Sequence, residues 1–123
     1  MQLKVFLSTA ITGVMQEERE KIYKDVRILV CNEYEDYYPD DLEKDIIILD
    51  NFDEPPAPPD IQYKKLYHLS RALDKMKDCD VFVLLAESDG TIKPGCNVEL
   101  QAWLSAGGVQ PIIRRKSFKY SSV

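Results

Sequence analysis

The chain has 123 residues, 45% of them hydrophobic and 30% charged, and carries a net charge of −5. That length supports one domain, residues 1–123, with a core of its own, and the balance is that of a folded chain rather than a disordered one. The acidic excess argues against duplex nucleic acid as a partner, because a duplex binder needs a basic face to neutralise phosphates.

The longest apolar runs, Val81–Ala86 and Ile46–Leu49, fall far short of the roughly 20 residues that span a bilayer. The opening MQLKVFLSTAITG lacks the basic region and apolar length of a secretory signal. A cytoplasmic protein with no membrane partner is expected. Cys31, Cys79 and Cys96 are widely spaced, and the lone His68 has no partner at metal-ligand spacing. They read as free thiols in a reducing compartment, with no metal and no cofactor. The basic cluster Arg114, Arg115, Lys116 and Lys119 reads as a solvated tail or, less commonly, as a contact for one phosphate group.

In chain order, residues 3–8 form a β-rich run that ends in the small-residue stretch Thr9–Gly13. Small residues let the chain turn sharply and bring backbone N–H groups close to a ligand. From Met15 to about Asn32, Met15, Ile22, Val26, Leu29 and Val30 recur at near-helical spacing, which predicts an amphipathic helix. Glu17 and Glu18 suit the positive end of its dipole. The part from Val26 to Cys31 reads equally as a strand. Residues 33–44 are acidic, tyrosine-rich and interrupted by Pro39, so a loop is predicted.

Ile46–Leu49 has the all-apolar character of a strand covered on both faces. The following NFDEPPAPPD holds four prolines in five residues and forbids helix or central strand. It reads as an extended connector, either a flap over a site or a stiff spacer. Residues 61–77 predict a second helix, Val81–Ala86 a buried strand, and AESDGTIKP a polar loop. A third helix is predicted over Cys96–Ala106, stopped by Gly107 and Gly108, and a last strand over Val109–Ile113. Apolar strands alternating with amphipathic helices predict an α/β fold. It is Rossmann-like (flavodoxin-like), a doubly wound sheet of four to five parallel strands with helices on both faces. The strand order 2-1-3-4 is expected.

Such sheets bind ligands beyond the carboxyl ends of their strands. Three segments meet that edge: Ser8–Gly13 after the first strand, the proline-rich loop after Leu49, and Glu87–Glu99 after Leu85. The last contains GTIKPGCNVEL, where Gly90 and Gly95 precede a helix whose predicted first turn carries Glu99. A carboxylate at a helix start is held in its charged form. Ser88 and Lys93 offer a hydroxyl and an ammonium to a phosphate or else belong to a solvated loop. Tyr63, Tyr67 and His68 lie near the same edge, and Tyr67 or His68 could stack on a base, although packing is the more usual role of an aromatic side chain. Asp80, just before a buried strand, reads as structural, and Trp103 as core or a dimer interface.

KVFLSTAITG followed by an amphipathic helix resembles the opening of the nucleoside 2-deoxyribosyltransferase superfamily. It is most similar to a short branch whose first turn reads Gly-Pro-Ile-Thr-Gly. Here that turn is Thr9, Ala10, Ile11, Thr12 and Gly13. The stretch from Ala72 to Ile113 resembles the second half of the pattern, with Gly95, Glu99 and Leu100 at the Gly-x-x-x-Glu-Leu positions.

The resemblance implies a glutamate, Glu99, that attacks C1′ of a deoxynucleoside and displaces the base. The protein would be a deoxyribosyltransferase or a deoxynucleoside monophosphate N-glycosidase. Thr9, Ala10, Ile11, Thr12, Gly13, Ser88, Asp89, Gly90, Lys93, Gly95 and Asn97 would hold the nucleoside or nucleotide, and a homodimer or higher homo-oligomer is implied. Departures from the pattern support an alternative, a nucleotide-binding or nucleotide-signal module without turnover. Ala72 stands where active members carry an Asp, Phe6 where several carry a Tyr, and Asn97 where many carry a second Gly. Asp74 or Asp89 would have to replace the missing acid. A carboxyl restored at position 72 is expected to face the pocket.

Overall fold

The computed structural model describes residues 2–34, 36 and 42–116. Lys119 and half of the acidic tyrosine-rich segment (residues 35 and 37–41) lie outside the described residues. The elements run β1 (Leu3–Thr9), α1 (Gln16–Tyr34), α2 (Leu42–Asp45), β2 (Ile46–Leu49), α3 (Lys64–Met76), β3 (Val81–Ala86), α4 (Pro94–Ser105) and β4 (Ile112–Arg115). All strands are parallel, in the order β2-β1-β3-β4. This is the expected α/β, Rossmann-like doubly wound sheet, with four strands among the described residues.

The pleat explains why both faces of the sheet are covered. Successive side chains of a strand point to opposite faces. On β1, Leu3, Val5 and Leu7 join Val81, Val83 and Leu85 of β3 against Ile22, Val26 and Val30 of α1. The intervening Phe6 joins Phe82, Leu84 and Ala86 against Ala72 and Met76 of α3 and Leu100 and Trp103 of α4. Phe6 stacks on Phe82 with ring centroids 5.7 Å apart, and Trp103 lies 5.5 Å beyond Phe82. Trp103 is thus a core residue. Val26–Cys31, which reads either way in sequence, is helical because its apolar positions face this core one turn apart.

Asp80 is structural, as expected. Its carboxylate accepts the Lys4 N–H at 2.9 Å while its own N–H donates to the Lys4 carbonyl at 2.7 Å. The pair fixes the starts of β1 and β3 in register.

Four boundaries are corrected. Residues 42–45 form a helical turn rather than a loop. Helix α3 begins at Lys64, after the connector. Helix α4 begins at Pro94, whose missing N–H costs nothing in the first turn of a helix. Strand β4 starts at Ile112 rather than Val109, because residues 107–109 finish α4. The Gly108 N–H donates to the Trp103 carbonyl and the Gly107 N–H to the Leu104 carbonyl, with Gly107 at φ 78°, a Schellman stop. The Val109 carbonyl accepts the Trp103 indole N–H at 2.8 Å. Arg114 and Arg115 are exposed, as expected, but lie on the edge strand rather than in a tail, and Lys116 is buried. None of the helices among the described residues is long and apolar enough to cross a membrane.

Candidate functional site

The strand order reverses between β1 and β3, since β1 leads outward to β2 and β3 to β4. Such a switch point parts the loops leaving the carboxyl ends of the two central strands and opens a crevice. A cleft of about 1200 Å³ lies there. Thr9–Thr12 line it from the end of β1, Asn51 from the end of β2, and Glu87–Asp89 from the end of β3. Helix α3 contributes Lys65, Leu66, His68 and Leu69, and α4 with its approach contributes Lys93–Cys96, Val98 and Glu99.

Glu99 is 7% exposed. Its Oε1 accepts the Ser8 hydroxyl at 2.7 Å and its Oε2 accepts the Asn51 side-chain N–H at 2.9 Å. Burial pushes this carboxyl up from its ordinary value, opposed by the Ser8 and Asn51 hydrogen bonds and by the charge of Lys75. This corrects the expected electrostatics. With α4 starting at Pro94, Glu99 stands in the second turn, where the dipole of the helix start is weak. The two side-chain donors support its charge instead.

The sequence-predicted residues divide. Thr9, Ala10, Ile11, Thr12, Ser88, Asp89, Lys93 and Gly95 line the same cleft as Glu99. Gly13, Gly90 and Asn97 do not. Gly13 turns the chain at φ 77°, just past the cleft wall. Gly90, at φ 90°, lets the Arg115 guanidinium lie close against its backbone. Asn97 faces outward on α4.

Of the two substitute acids, Asp74 is exposed and pairs with Lys77 at 3.2 Å. Asp89 reaches the cleft, and bonding to Thr91 holds its carboxyl below the ordinary range. Ala72 lies within the apolar cluster of Phe6 and Phe82 and is 1% exposed. A carboxyl there would enter the core, contrary to the expected pocket-facing position. His68 lines the cleft, with Tyr67 edge-on to it at 5.5 Å. Tyr63 stands exposed before α3.

Sequence reasoning placed Ser8 and Asn51 in segments at the ligand edge but gave neither a role beside Glu99. Each is a polar residue at the carboxyl end of a strand, and that placement is the available signal. It missed two further arrangements. Lys116 is buried with its Nζ 3.4 Å from the Glu87 carboxylate at the cleft. Burial pushes its ammonium down and Glu87 opposes the shift.

The connector is anchored at its first residues on both sides. Asp53 pairs with Arg19 of α1, and the Asp50 carboxylate accepts the Tyr23 hydroxyl at 2.5 Å. Glu54 pairs with Arg71 and Lys75 of α3. Asn51 is carried between these anchors, which fixes its amide beside Glu99. No protein-family model matches the chain, and no curated protein matches it.

Proposed function

We propose that the cleft breaks the N-glycosidic bond of a nucleoside or nucleotide, with Glu99 as the nucleophile and water or a second base as the acceptor. The observation that carries this reading is the Glu99 carboxyl itself, set in the wall of a switch-point cleft with one donor on each oxygen. An oxygen of Glu99 bonds to C1′ as the C1′–N bond breaks. The base leaves with the bonding electron pair and takes a proton from solvent, which regains one as the acceptor, water or a second base, is deprotonated on attacking C1′. The acceptor then attacks C1′ and returns the carboxylate.

In the second half, negative charge reappears on Glu99. The Ser8 hydroxyl and the Asn51 amide already point at the atoms that receive it, so no dipole has to reorganise. Leu66, Leu69, Val98 and Ile11 give the cleft apolar walls suited to a flat base.

One observation favours a second reading, a binding module without turnover. Burial pushes the Glu99 carboxyl toward its protonated form, and a protonated acid is a poor nucleophile. The test is incubation with a panel of deoxynucleosides and their 5′-monophosphates, free base being read by chromatography and binding by calorimetry. Base release supports the first reading. Binding without release supports the second, and neither overturns both.

A further inference from the structure

Lys75 is half-buried on α3 and is not among the residues that line the cleft. Its ammonium donates to the Asp50 carbonyl at 2.7 Å, to Asn51 Oδ1 at 3.3 Å, and to the Glu54 carboxylate. An ammonium has three N–H donors and no acceptor, and here each donor has an acceptor. The other end of the same Asn51 amide donates from Nδ2 to Glu99.

An amide carries a donor and an acceptor of nearly equal size and can present either by turning over. Turned over, Asn51 would set its oxygen against the Glu99 carboxylate and its N–H groups against the Lys75 ammonium. Both contacts repel. Lys75 can only donate and ionised Glu99 can only accept, so the amide between them has one orientation.

We propose that Lys75 is a positioning residue for Glu99, acting through the Asn51 amide. The proposal rests on the reading of Glu99 as the reacting carboxylate. The lysine keeps a donor aimed at Oε2 and places a positive charge one side chain away, and both oppose the effect of burial. The groups that act on Glu99 are Ser8 from β1, Asn51 past β2, Lys75 from α3 and Cys96 on α4 itself, while His68 of α3 and Glu87 past β3 line the same cleft. Among these, Lys75 is the cation bonded to Asn51.

The test is a 13C NMR titration of the Glu99 carboxyl in ligand-free protein, assigned with Glu99→Gln. It covers wild type, Lys75→Met, Asn51→Ala and the double variant. Lys75→Met is expected to raise the Glu99 midpoint by about one pH unit. The same substitution in the Asn51→Ala background is expected to move it by less than half as much, because the amide that transmits the effect is gone.

An unmoved midpoint in Lys75→Met overturns the proposal. So does an equal shift in both backgrounds, which means that the lysine acts by charge alone. Should Lys75→Met fail to fold, Lys75→Leu, which likewise removes both the N–H donor and the charge, enters the same cycle with the same criterion. Where base is released, the acid limb of the kcat/KM profile should move with the Glu99 midpoint. If wild type releases no base, the reading of Glu99 as nucleophile fails, while the titration still decides the role of Lys75.

Discussion

Ser8 and Glu99 are 91 residues apart in the chain and joined by a 2.7 Å hydrogen bond at the carboxyl edge of the sheet. The bond ties the end of β1 to the second turn of α4, and it faces a buried carboxylate with a hydroxyl donor. A hydrogen bond to a charged group contributes about 1.5–3 kcal/mol, roughly twice the neutral case, so Ser8 bears on the charge state of Glu99 as well as on its position.

Glu99→Gln is expected to abolish base release and leave ligand binding nearly intact. The amide keeps the size of the side chain but is a far poorer nucleophile, and loss of a covalent nucleophile costs on the order of 10^4-fold in rate. Chromatographic assay of free base and calorimetric titration with the same nucleoside check the two halves. Residual turnover within tenfold of wild type would remove Glu99 from the chemistry.

The same substitution makes a pH prediction. The folded-state carboxyl is raised above its ordinary value of 4.5, so between that value and the folded midpoint the native state holds the proton more tightly than the unfolded chain. Stability from this group is therefore present at low pH and lost as pH rises through the window. Relative to wild type, Glu99→Gln should gain stability as pH rises from about 4.5 toward neutrality. Paired thermal melts across that range test it, and a wild type that gains on the variant with rising pH contradicts the assignment.

Ala72→Asp is expected to destabilise the fold and not to restore or raise activity. Position 72 packs with Phe6, Met76, Phe82 and Leu84, and a carboxyl placed there loses its hydration with no donor in the apolar cluster to replace it. A cost of about 3 kcal/mol or more is expected in urea unfolding. A variant as stable as wild type and more active would return this position to the site.

Gly108→Ala should be among the most damaging small changes in the chain. An added Cβ would stand 2.4 Å from Trp103 Cε2, and the ring cannot yield because it packs on Phe82 and donates to the Val109 carbonyl. A loss of about 2–3 kcal/mol is expected. Asp80→Ala, which removes the acceptor for the Lys4 N–H, should cost about 1 kcal/mol. Urea unfolding of both variants orders the two, and the reverse order would contradict the packing described.

Much of the architecture was legible because apolar character is local. Ile46–Leu49 and Val81–Ala86 could only be covered strands, and the structure has them at those bounds. What was not legible depends on contacts made after folding. Val109 looks like a strand residue, but its carbonyl serves Trp103, and the strand begins only past Pro111. Lys116 looks like tail, yet it is drawn inside by Glu87.

The candidate site divides on the same line. Thr9–Thr12 and Glu99 stand out because small residues and a helix-borne carboxylate have a recognisable pattern. Ser8 and Asn51 could be placed at the ligand edge, but their contacts with Glu99 could not be read, because a polar residue at a strand end gains its partner from strand order and pleat parity. Ala72 was misplaced for the converse reason: counting along the chain gave its position but not the face of α3 on which it lies.

Phe6 and Ser8 are two residues apart on β1, so the pleat directs them to the same face. The side chain that stacks on Phe82 and the hydroxyl that reaches Glu99 therefore share one register. A slip of a single residue in β1 would turn both away together, putting Val5 or Leu7 where the ring belongs and Thr9 or Leu7 where the hydroxyl belongs. Molecules whose core has closed correctly on this face have, by the same act, delivered Ser8 to the carboxylate. Misfolded chains would lack the arrangement altogether rather than carry a distorted form of it, so activity per molecule in a partly denatured sample should fall in step with the fraction folded.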